Sequence, residues 1–160
     1  MKKAVAFVAG SLFALGLAAA ANASVVTVSA FANSSSGGAA LDTGIFLNPT
    51  DALSVSAALD DLWSAGSEDP CTRTSNADGL TSCYGQWTQG NLTANYGSLV
   101  GEINGLFYDL GTSALLTGLN GELFLVYWDS NFGDNSGSID VSLDFLRGAA
   151  AAPEPGALAL

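Results

Sequence analysis

The segment Ser138-Ile139-Asp140-Val141-Ser142-Leu143-Asp144-Phe145 alternates polar and apolar side chains without interruption. Successive side chains of a β-strand point to opposite faces, so this period of two predicts a strand with one buried and one solvated face. The preceding run Glu122-Leu123-Phe124-Leu125-Val126-Tyr127-Trp128 is the most apolar strand candidate, and we predict that it is central in its sheet. These two segments favour a fold built from packed antiparallel sheets.

Further strand signals precede these two segments. Alternating or β-branched runs predict strands at residues 25–31, 43–47, 53–57, 92–96, 98–103, 106–110 and 115–119. We expect strands 92–96 and 98–103 to be neighbours. Asn104-Gly105 predicts a hairpin and Asn120-Gly121 a second tight turn. Short strands with frequent turn signals predict an all-β fold, a two-sheet antiparallel β-sandwich that is jelly-roll-like.

The N-terminus has the pattern of a secretory signal peptide. Met1-Lys2-Lys3 is positively charged, residues 4–20 are almost all apolar, and Ala21-Asn22-Ala23 is a small-x-small cleavage motif. A transmembrane helix is the alternative, but the run contains glycine and serine and is short for a full span. We therefore predict a signal peptide at residues 1–23, a mature start at Ser24, and a secreted or cell-surface protein.

The C-terminus resembles the start of a PEP-CTERM sorting tail, which bacteria use to anchor or export proteins together with extracellular polysaccharide. A small-residue stretch at 149–152 precedes Pro153-Glu154-Pro155. Such tails continue into a transmembrane helix and an arginine cluster; the sequence has neither, so either the tail is truncated or the likeness is accidental. We expect a folded domain at residues 24–147, a linker and incomplete tail at 148–160, and membrane attachment only through the missing anchor.

The composition excludes several classes of site. The chain has no histidine, which excludes Ser-His-Asp and Cys-His catalysis and histidine-ligated zinc or haem. Without the signal peptide, only Arg73 and Arg147 oppose 15 acidic residues, which leaves a charge of −13. That charge argues against nucleic acid or an anionic bilayer as partner, because both need a basic face. It suits a domain that holds divalent cations.

Residues 60–89 show no strand or helix period and contain both cysteines, Cys71 and Cys83. In an exported chain, this pair predicts a disulfide. The alternative is a reactive thiol, for which Arg73 is the sole basic neighbour. Long loops in compact domains are usually functional; a disordered insertion is the alternative. The aromatic residues of this stretch are interpreted either as sugar-stacking platforms or as lids on the core: Trp63, Tyr84 and Trp87.

The loop between the two strongest strand candidates concentrates oxygen ligands. Asp129, Asn131, Asp134 and Asn135 place two carboxylates and two carboxamides within seven positions. Calcium binds six to eight oxygens of this kind, so the loop predicts a Ca²⁺ site that another loop or a ligand completes. An ordinary polar turn uses the same residue types and is the alternative. An EF-hand is excluded because strands flank the loop and Asp134 stands where that motif needs glycine.

Three blocks of the sequence resemble the LecA-type galactose-binding lectins, which are calcium-dependent β-sandwich lectins of the PA-IL-like superfamily. The blocks are residues 43–58 (TGIFLNPTDALSVSAA), 96–103 (YGSLVGEI), and 127–138, where YWD and FGDNSGS carry the likeness. The last block is similar to the lectins' Tyr-x-Asp and aromatic-Gly-Asn-Asn-Ser-Gly motifs. The resemblance implies the same fold, a bound calcium ion, and sugar hydroxyls that the ion recognises.

Carried over position by position, the resemblance also implies individual residue roles. The implied metal ligands are Asp129, Asn131 through its main-chain carbonyl, Asp134, Asn135 and a carbonyl near Ala65. The implied sugar contacts are Asp129, Asp134, Asp78 and Ser75. The chain departs from the lectins by a loop two residues shorter, by Asp134 in place of Asn, and by Ser75 in place of His. These departures leave a galactose preference unsupported, and neither the sugar nor the oligomeric state follows from the sequence.

Together the patterns favour a non-enzymatic, calcium-dependent carbohydrate-binding module at the cell surface or in its exopolysaccharide. The alternative is a structural or adhesive secreted β-sandwich in which calcium only stabilises the loop, or is absent. A glycoside hydrolase needs two suitably spaced carboxylates. The adjacent Asp60 and Asp61 lie on opposite faces if the chain is extended there, so they do not form such a pair.

Overall fold

Every long element in the computed structural model is a β-strand, and the structure describes residues 21–66, 71, 73–82 and 84–148. The strands are β1 (Ala21–Ser29), β2 (Leu41–Leu47), β3 (Ala52–Ala57), β4 (Trp63–Ser64), β5 (Thr74–Ser75), β6 (Gln86–Gln89), β7 (Leu92–Asn95), β8 (Leu99–Ile103), β9 (Leu106–Asp109), β10 (Ser113–Thr117), β11 (Gly121–Tyr127) and β12 (Ser136–Leu146). A 3-10 turn, η1 (Phe132–Asp134), precedes β12. Within the described ranges, none of the helical structure is long and apolar enough to cross a membrane.

The strands form two main antiparallel sheets, which confirms the predicted all-β sandwich. One sheet has the order β10-β3-β12-β4-β5, with β1 also paired to β12. The other has the order β2-β11-β8-β9. A separate hairpin, β6-β7, completes the fold. The predicted signal segment before residue 21 and the predicted tail beyond residue 148 lie outside the described residues.

The apolar face of β12 lies in the core between the sheets, as its alternation predicts. Ile139, Val141, Leu143 and Phe145 are all at most 6% exposed. They pack with buried residues of the facing sheet, among them Leu123, Leu125 and Leu99. Burial of such side chains is the main favourable contribution to folding.

β11 is buried on its inward face and, towards its C-terminal end, on its outward face as well. Its inward face joins the inter-sheet core through Leu123 and Leu125. Its outward face carries Val126, and Trp128 follows the strand on the same side; both belong to a second buried cluster. Trp87 of the β6-β7 hairpin packs on that cluster. The prediction that this strand is central is confirmed, since β11 lies between β2 and β8.

β1 begins before the predicted mature N-terminus. Residues 21–23, the predicted cleavage motif, pair with residues 144–146 of β12. Ser24 therefore lies inside β1, and cleavage before it removes the first three pairs of this ladder. At the other end, β12 ends at Leu146, one residue before the predicted domain boundary.

The structure confirms one predicted turn and corrects one predicted strand pairing. The β8-β9 hairpin turns at Asn104-Gly105, with φ values of 53° and 76°, as a type I′ turn requires. The expectation that strands 92–96 and 98–103 are neighbours was wrong, because β7 pairs with β6 while β8 pairs with β11 and β9. The turn at Asn120-Gly121 leads from one sheet to the other, since β10 pairs with β3 and β11 with β2.

The stretch 60–89, which the sequence left without regular structure, contributes β4, β5 and β6. β4 pairs with the start of β12, and β5 pairs with β4. These strands are only two to four residues long, too short to show a period. Cys71 is not a free thiol, but Cys83 lies outside the described residues, so the Cys71–Cys83 disulfide stays a prediction.

Candidate functional site

A cavity of about 210 Å³ opens where the loop from β11 to β12 meets the end of β4. Four of the predicted metal-site residues line it: Ala65, Asp129, Asn131 and Asp134. The structure therefore brings together two chain segments that the sequence joins only through the lectin resemblance. Asn135 is buried directly after the loop and contacts the Asp129 carboxylate through its side chain.

The 129–135 loop is ordered by its own side chains. Asn131 caps η1, and its Oδ1 accepts a hydrogen bond from the Gly133 N–H at 3.3 Å. Its Nδ2 donates to Oδ1 of Asp134 at 3.1 Å. The Asn135 N–H then donates to the Phe132 carbonyl at 3.2 Å. Asx side chains commonly cap a turn in this way, so the carboxylates are held in place from within the loop.

Asp129 is a buried carboxylate, with 5% of its surface exposed. Burial raises its pKa, while hydrogen bonds from the Ser130 N–H, the Asn135 side chain and the Asn131 N–H lower it. The nearby charge of Asp134 raises it further. A second negative charge beside a buried carboxylate is unfavourable unless a cation offsets it.

Asn135 has a buried oxygen that the rest of the described chain does not satisfy. The residue is 6% exposed, and its Nδ2 donates to the Ala30 carbonyl at 3.2 Å. Its Oδ1 has no hydrogen-bond partner among the described residues. Buried amide oxygens in native proteins are nearly always paired, so this atom marks a position where a ligand is expected.

Arg73 also lines the cavity, and the sequence prediction did not include it. Its Nη1 donates to the Ala65 carbonyl at 3.1 Å and to Oδ2 of Asp134 at 2.9 Å. Its Nε donates to the Tyr84 hydroxyl at 2.5 Å. One signal was available in the sequence: Arg73 is one of two basic residues that remain after the predicted signal peptide.

Tyr127 is fully buried two positions before Asp129 in the chain and packs edge-on against Trp63, with ring centroids 4.6 Å apart. Burial raises the pKa of its hydroxyl, as do the negative charges of Asp129 and Asp134. The hydroxyl has no hydrogen-bond partner among the described residues. The raised pKa keeps Tyr127 neutral, so it adds no charge to the site.

The two predicted secondary sugar contacts lie elsewhere. Asp78 and Ser75 line a second cavity, of about 380 Å³, rather than the one that Asp129 lines. Asp78 accepts hydrogen bonds from the Thr112 N–H at 2.7 Å and hydroxyl at 3.1 Å. Ser75 is 8% exposed, and its hydroxyl has no partner in the described part of the chain. Asp78 thus holds a turn, and the structure does not bring it or Ser75 into the first cavity.

The three aromatic residues of the 60–89 stretch have different positions. Trp63 is 1% exposed and donates from Nε1 to the Gly97 carbonyl at 2.8 Å. Trp87 covers Trp128, with ring centroids 4.9 Å apart. Both are parts of the packing, as the lid interpretation predicts. Tyr84 lines the first cavity together with Tyr96, as the stacking interpretation requires.

The acidic residues of the described chain do not form a larger cluster. No group of three or more His, Cys, Asp or Glu side chains that could hold a metal ion occurs within residues 21–148 as far as they are described. Any metal site at the cavity must therefore use carboxamide and main-chain oxygens beside its two carboxylates, Asp129 and Asp134. Calcium accepts such a mixed oxygen set.

Comparison with solved structures finds this fold in the N-terminal domain of EclA, described as a PllA-like lectin. The two chains are 19% identical, and the match covers 76% of this chain and 94% of that chain with a TM-score of 0.54. Comparisons of the sequence with protein-family models and with curated proteins find no significant match. At this level of identity the similarity establishes the fold, and it agrees with the predicted lectin-like β-sandwich.

Proposed function

We propose that this domain binds carbohydrate through a calcium ion at the cavity between the 129–135 loop and Ala65. The observation that carries the proposal is the buried Oδ1 of Asn135, which has no hydrogen-bond partner in the described part of the chain and lies beside the buried Asp129 carboxylate. A buried oxygen without a donor and a buried carboxylate beside the negative charge of Asp134 both cost folding free energy. A hard divalent cation between them offsets both costs.

The chain has the oxygens that such an ion needs. The proposed side-chain ligands are the carboxylates of Asp129 and Asp134 and Oδ1 of Asn135. Main-chain carbonyls of Ala65 and Asn131 complete the set. Five protein oxygens leave coordination positions free, since calcium takes six to eight. When bound, calcium supplies these positions to vicinal hydroxyls of a sugar.

The walls of the cavity support a sugar as the ligand. Tyr84 and Tyr96 line the cavity together with the acidic loop, and their rings are edge-to-face with centroids 6.2 Å apart. Aromatic rings beside polar groups are suited to the apolar faces and hydroxyl edges of sugars. The lectin resemblance and the fold shared with a PllA-like lectin point the same way. We propose no enzymatic activity and no particular sugar, galactose included.

We further propose that the protein acts outside the cell, at the surface or in the exopolysaccharide. The signal-peptide pattern of residues 1–23 and the PEP-CTERM-like Pro153-Glu154-Pro155 support this location. Oxidising conditions there suit the predicted disulfide, and extracellular calcium suits a weak site of few carboxylates.

The test is the melting temperature in chelator and again in millimolar calcium, for the wild type and for Asp129→Asn. Calcium at 100 times its Kd adds about 2.7 kcal/mol, which raises the Tm of a domain of this size on the order of 10 °C. The expected result is a rise in the wild type that is lost in Asp129→Asn. Asp144→Asn is the matched control, because it removes the same charge from an exposed position on β12.

Glycan binding with and without chelator then tests the sugar. Calcium-dependent retention on a broad glycan panel, lost in Asp129→Asn, supports the lectin function. No calcium-dependent Tm rise would refute the ion site. Turnover of chromogenic glycosides would refute the non-enzymatic assignment.

One observation favours a second candidate function, a structural or adhesive β-sandwich. Arg73 already supplies a positive charge to the Ala65 carbonyl and to Asp134, so the loop is held without an ion. Absence of glycan binding, with or without a calcium-induced Tm rise, would support this second function.

A further inference from the structure

The guanidinium of Arg73 lies between two of the proposed calcium ligands. Its Nη1 is 3.1 Å from the Ala65 carbonyl oxygen and 2.9 Å from Oδ2 of Asp134. Calcium binds oxygen at about 2.3–2.6 Å. An ion that bound both oxygens from the side of Nη1 would overlap that nitrogen. Arg73 therefore occupies part of the space that such an ion would use.

Arg73 is held in this position by more than its acidic partner. Tyr84 accepts a hydrogen bond from Nε, and the guanidinium carbon lies 4.7 Å from the centre of the Tyr84 ring. The Ala65 N–H also donates to the Arg73 carbonyl at 2.9 Å, so the backbone of Arg73 is fixed beside Ala65. The Arg73 side chain is 13% exposed. A planar guanidinium that is held by several hydrogen-bond acceptors and an aromatic ring has little freedom to move.

We propose that the positively charged Arg73 side chain occupies part of the site when calcium is absent. It then competes with calcium and sets the calcium concentration at which the site binds the ion. The inference rests on the function proposed above. In low calcium, Arg73 joins Ala65 to Asp134 and keeps the two loops together. In high calcium, the Arg73 side chain would release both oxygens, and Ala65 and Asp134 would then be able to hold the ion. Asp134 is 39% exposed, so this exchange takes place at the open side of the cavity.

Displacing the Arg73 side chain costs free energy, which calcium binding must offset. A charge-assisted hydrogen bond to a carboxylate is stronger than a neutral one, and displacing Arg73 breaks the bonds to Ala65, Asp134 and Tyr84. Removing the competitor should therefore tighten calcium binding. Loss of these three contacts together corresponds to about a tenfold change in Kd.

Calorimetric calcium titration of Arg73→Gln, Arg147→Gln and the wild type tests the inference. Arg147 is the matched control, because it carries the same charge, is 56% exposed and pairs with Asp51 away from the cavity. The expected Kd of Arg73→Gln is about tenfold below that of the wild type. The Kd of Arg147→Gln for calcium should stay close to that of the wild type, since an exposed, distant charge is largely screened.

Tyr84→Phe is a second variant, which keeps every charge and every proposed ligand. It removes the acceptor of the Arg73 Nε–H, and we expect a smaller decrease in Kd. Melting in chelator is an independent readout: Arg73→Gln should melt lower than the wild type, while calcium should remove that difference. Tyr84→Phe also keeps the inference testable if Arg73→Gln does not fold.

The outcomes separate this inference from the proposed function. Equal calcium affinity of the wild type and Arg73→Gln, with binding lost in Asp129→Asn, overturns the competition and leaves the calcium site standing. Weaker binding by Arg73→Gln also overturns it, because Arg73 would then support the site. If neither the wild type nor Arg73→Gln binds calcium, the proposed function fails and the inference fails with it.

Discussion

Nη1 of Arg73 lies 2.9 Å from Oδ2 of Asp134, although 61 positions separate the two residues in the sequence. The same nitrogen also reaches the Ala65 carbonyl, so one guanidinium connects the end of β4 to the loop before β12. The pair lies at the rim of the cavity, where Arg73 is mostly buried and Asp134 is partly exposed. Arg73 thus joins the two sides of the candidate site.

The first prediction concerns the strength of that ion pair. Asp134→Asn should lower the free energy of unfolding in chelator by less than about 1 kcal/mol, because partly exposed pairs are screened by water. Urea denaturation measures the change, with Glu122→Gln on the exposed side of β11 as the control for loss of one negative charge. A decrease in the free energy of unfolding of more than about 2 kcal/mol would contradict the prediction that water screens this ion pair.

The second prediction concerns the β8-β9 turn. Gly105→Ala should destabilise the domain by about 1–2 kcal/mol, because Gly105 has φ of 76° and a Cβ is strained in that region. A Cβ at Gly105 meets no other atom within 4 Å, so the cost comes from the backbone alone. Gly85→Ala is the control, since Gly85 is equally open but lacks a positive φ. Equal Tm values for the two variants would contradict this explanation.

The third prediction concerns the inter-sheet core. Leu143 on β12 is fully buried, so Leu143→Ala should cost about 2–5 kcal/mol through lost burial and a cavity. Leu115 on the edge strand β10 is 68% exposed, and Leu115→Ala should stay within about 0.5 kcal/mol of the wild type. Chemical denaturation of both variants measures the contrast. Similar losses would mean that β10 is covered in solution.

The fourth prediction concerns Asp51, which joins the β2-β3 turn to the end of β12. Its carboxylate accepts hydrogen bonds from the Gly148 and Asn48 N–H groups, both at 2.8 Å. The Gly148 N–H is the largest factor that lowers the pKa of Asp51; burial opposes it, and Asn48 and the charge of Arg147 lower it further.

A lowered pKa in the folded state fixes the pH dependence of this contribution. The stabilisation is fully present above the unfolded-state pKa of about 3.9 and is lost as pH falls through the lower folded-state pKa. The Tm of Asp51→Asn should therefore lie below that of the wild type at pH 6, and the gap should narrow below about pH 4. Asp144→Asn, at an exposed position, is the control. A gap that stays constant down to pH 2 would contradict the linkage.

Local periodicity was sufficient to predict most strands. The alternation of residues 138–145 predicted both the strand and its buried face, because in a strand exposure repeats every second residue. Asn104-Gly105 predicted its turn for an equally local reason, since few residue pairs accept two positive φ values. The two-residue strands β4 and β5 are too short for any period, and their hydrogen-bonding partners lie far away in the sequence.

Ligand chemistry was partly predictable from the sequence in the same way. Four oxygen-bearing residues stand close together in the chain, so their oxygens were predicted to act together: Asp129, Asn131, Asp134 and Asn135. In the structure the first three line one cavity, and the side chain of Asn135 contacts the Asp129 carboxylate. Ser75 and Asp78 were assigned by position in the resemblance alone, and the fold directs them to another cavity.

The sequence by itself determined the fold class, the buried face of β12 and the oxygen-rich loop, because each depends on neighbouring residues. Only the tertiary structure decided that Arg73 meets Asp134 and Ala65, that β7 pairs with β6, and that the hairpin covers the outer face of β11. These features depend on how distant segments cross in space. No local sequence pattern encodes how these segments cross. The crossing results from packing that covers β11 and, at the same time, pairs the short strands of residues 60–89.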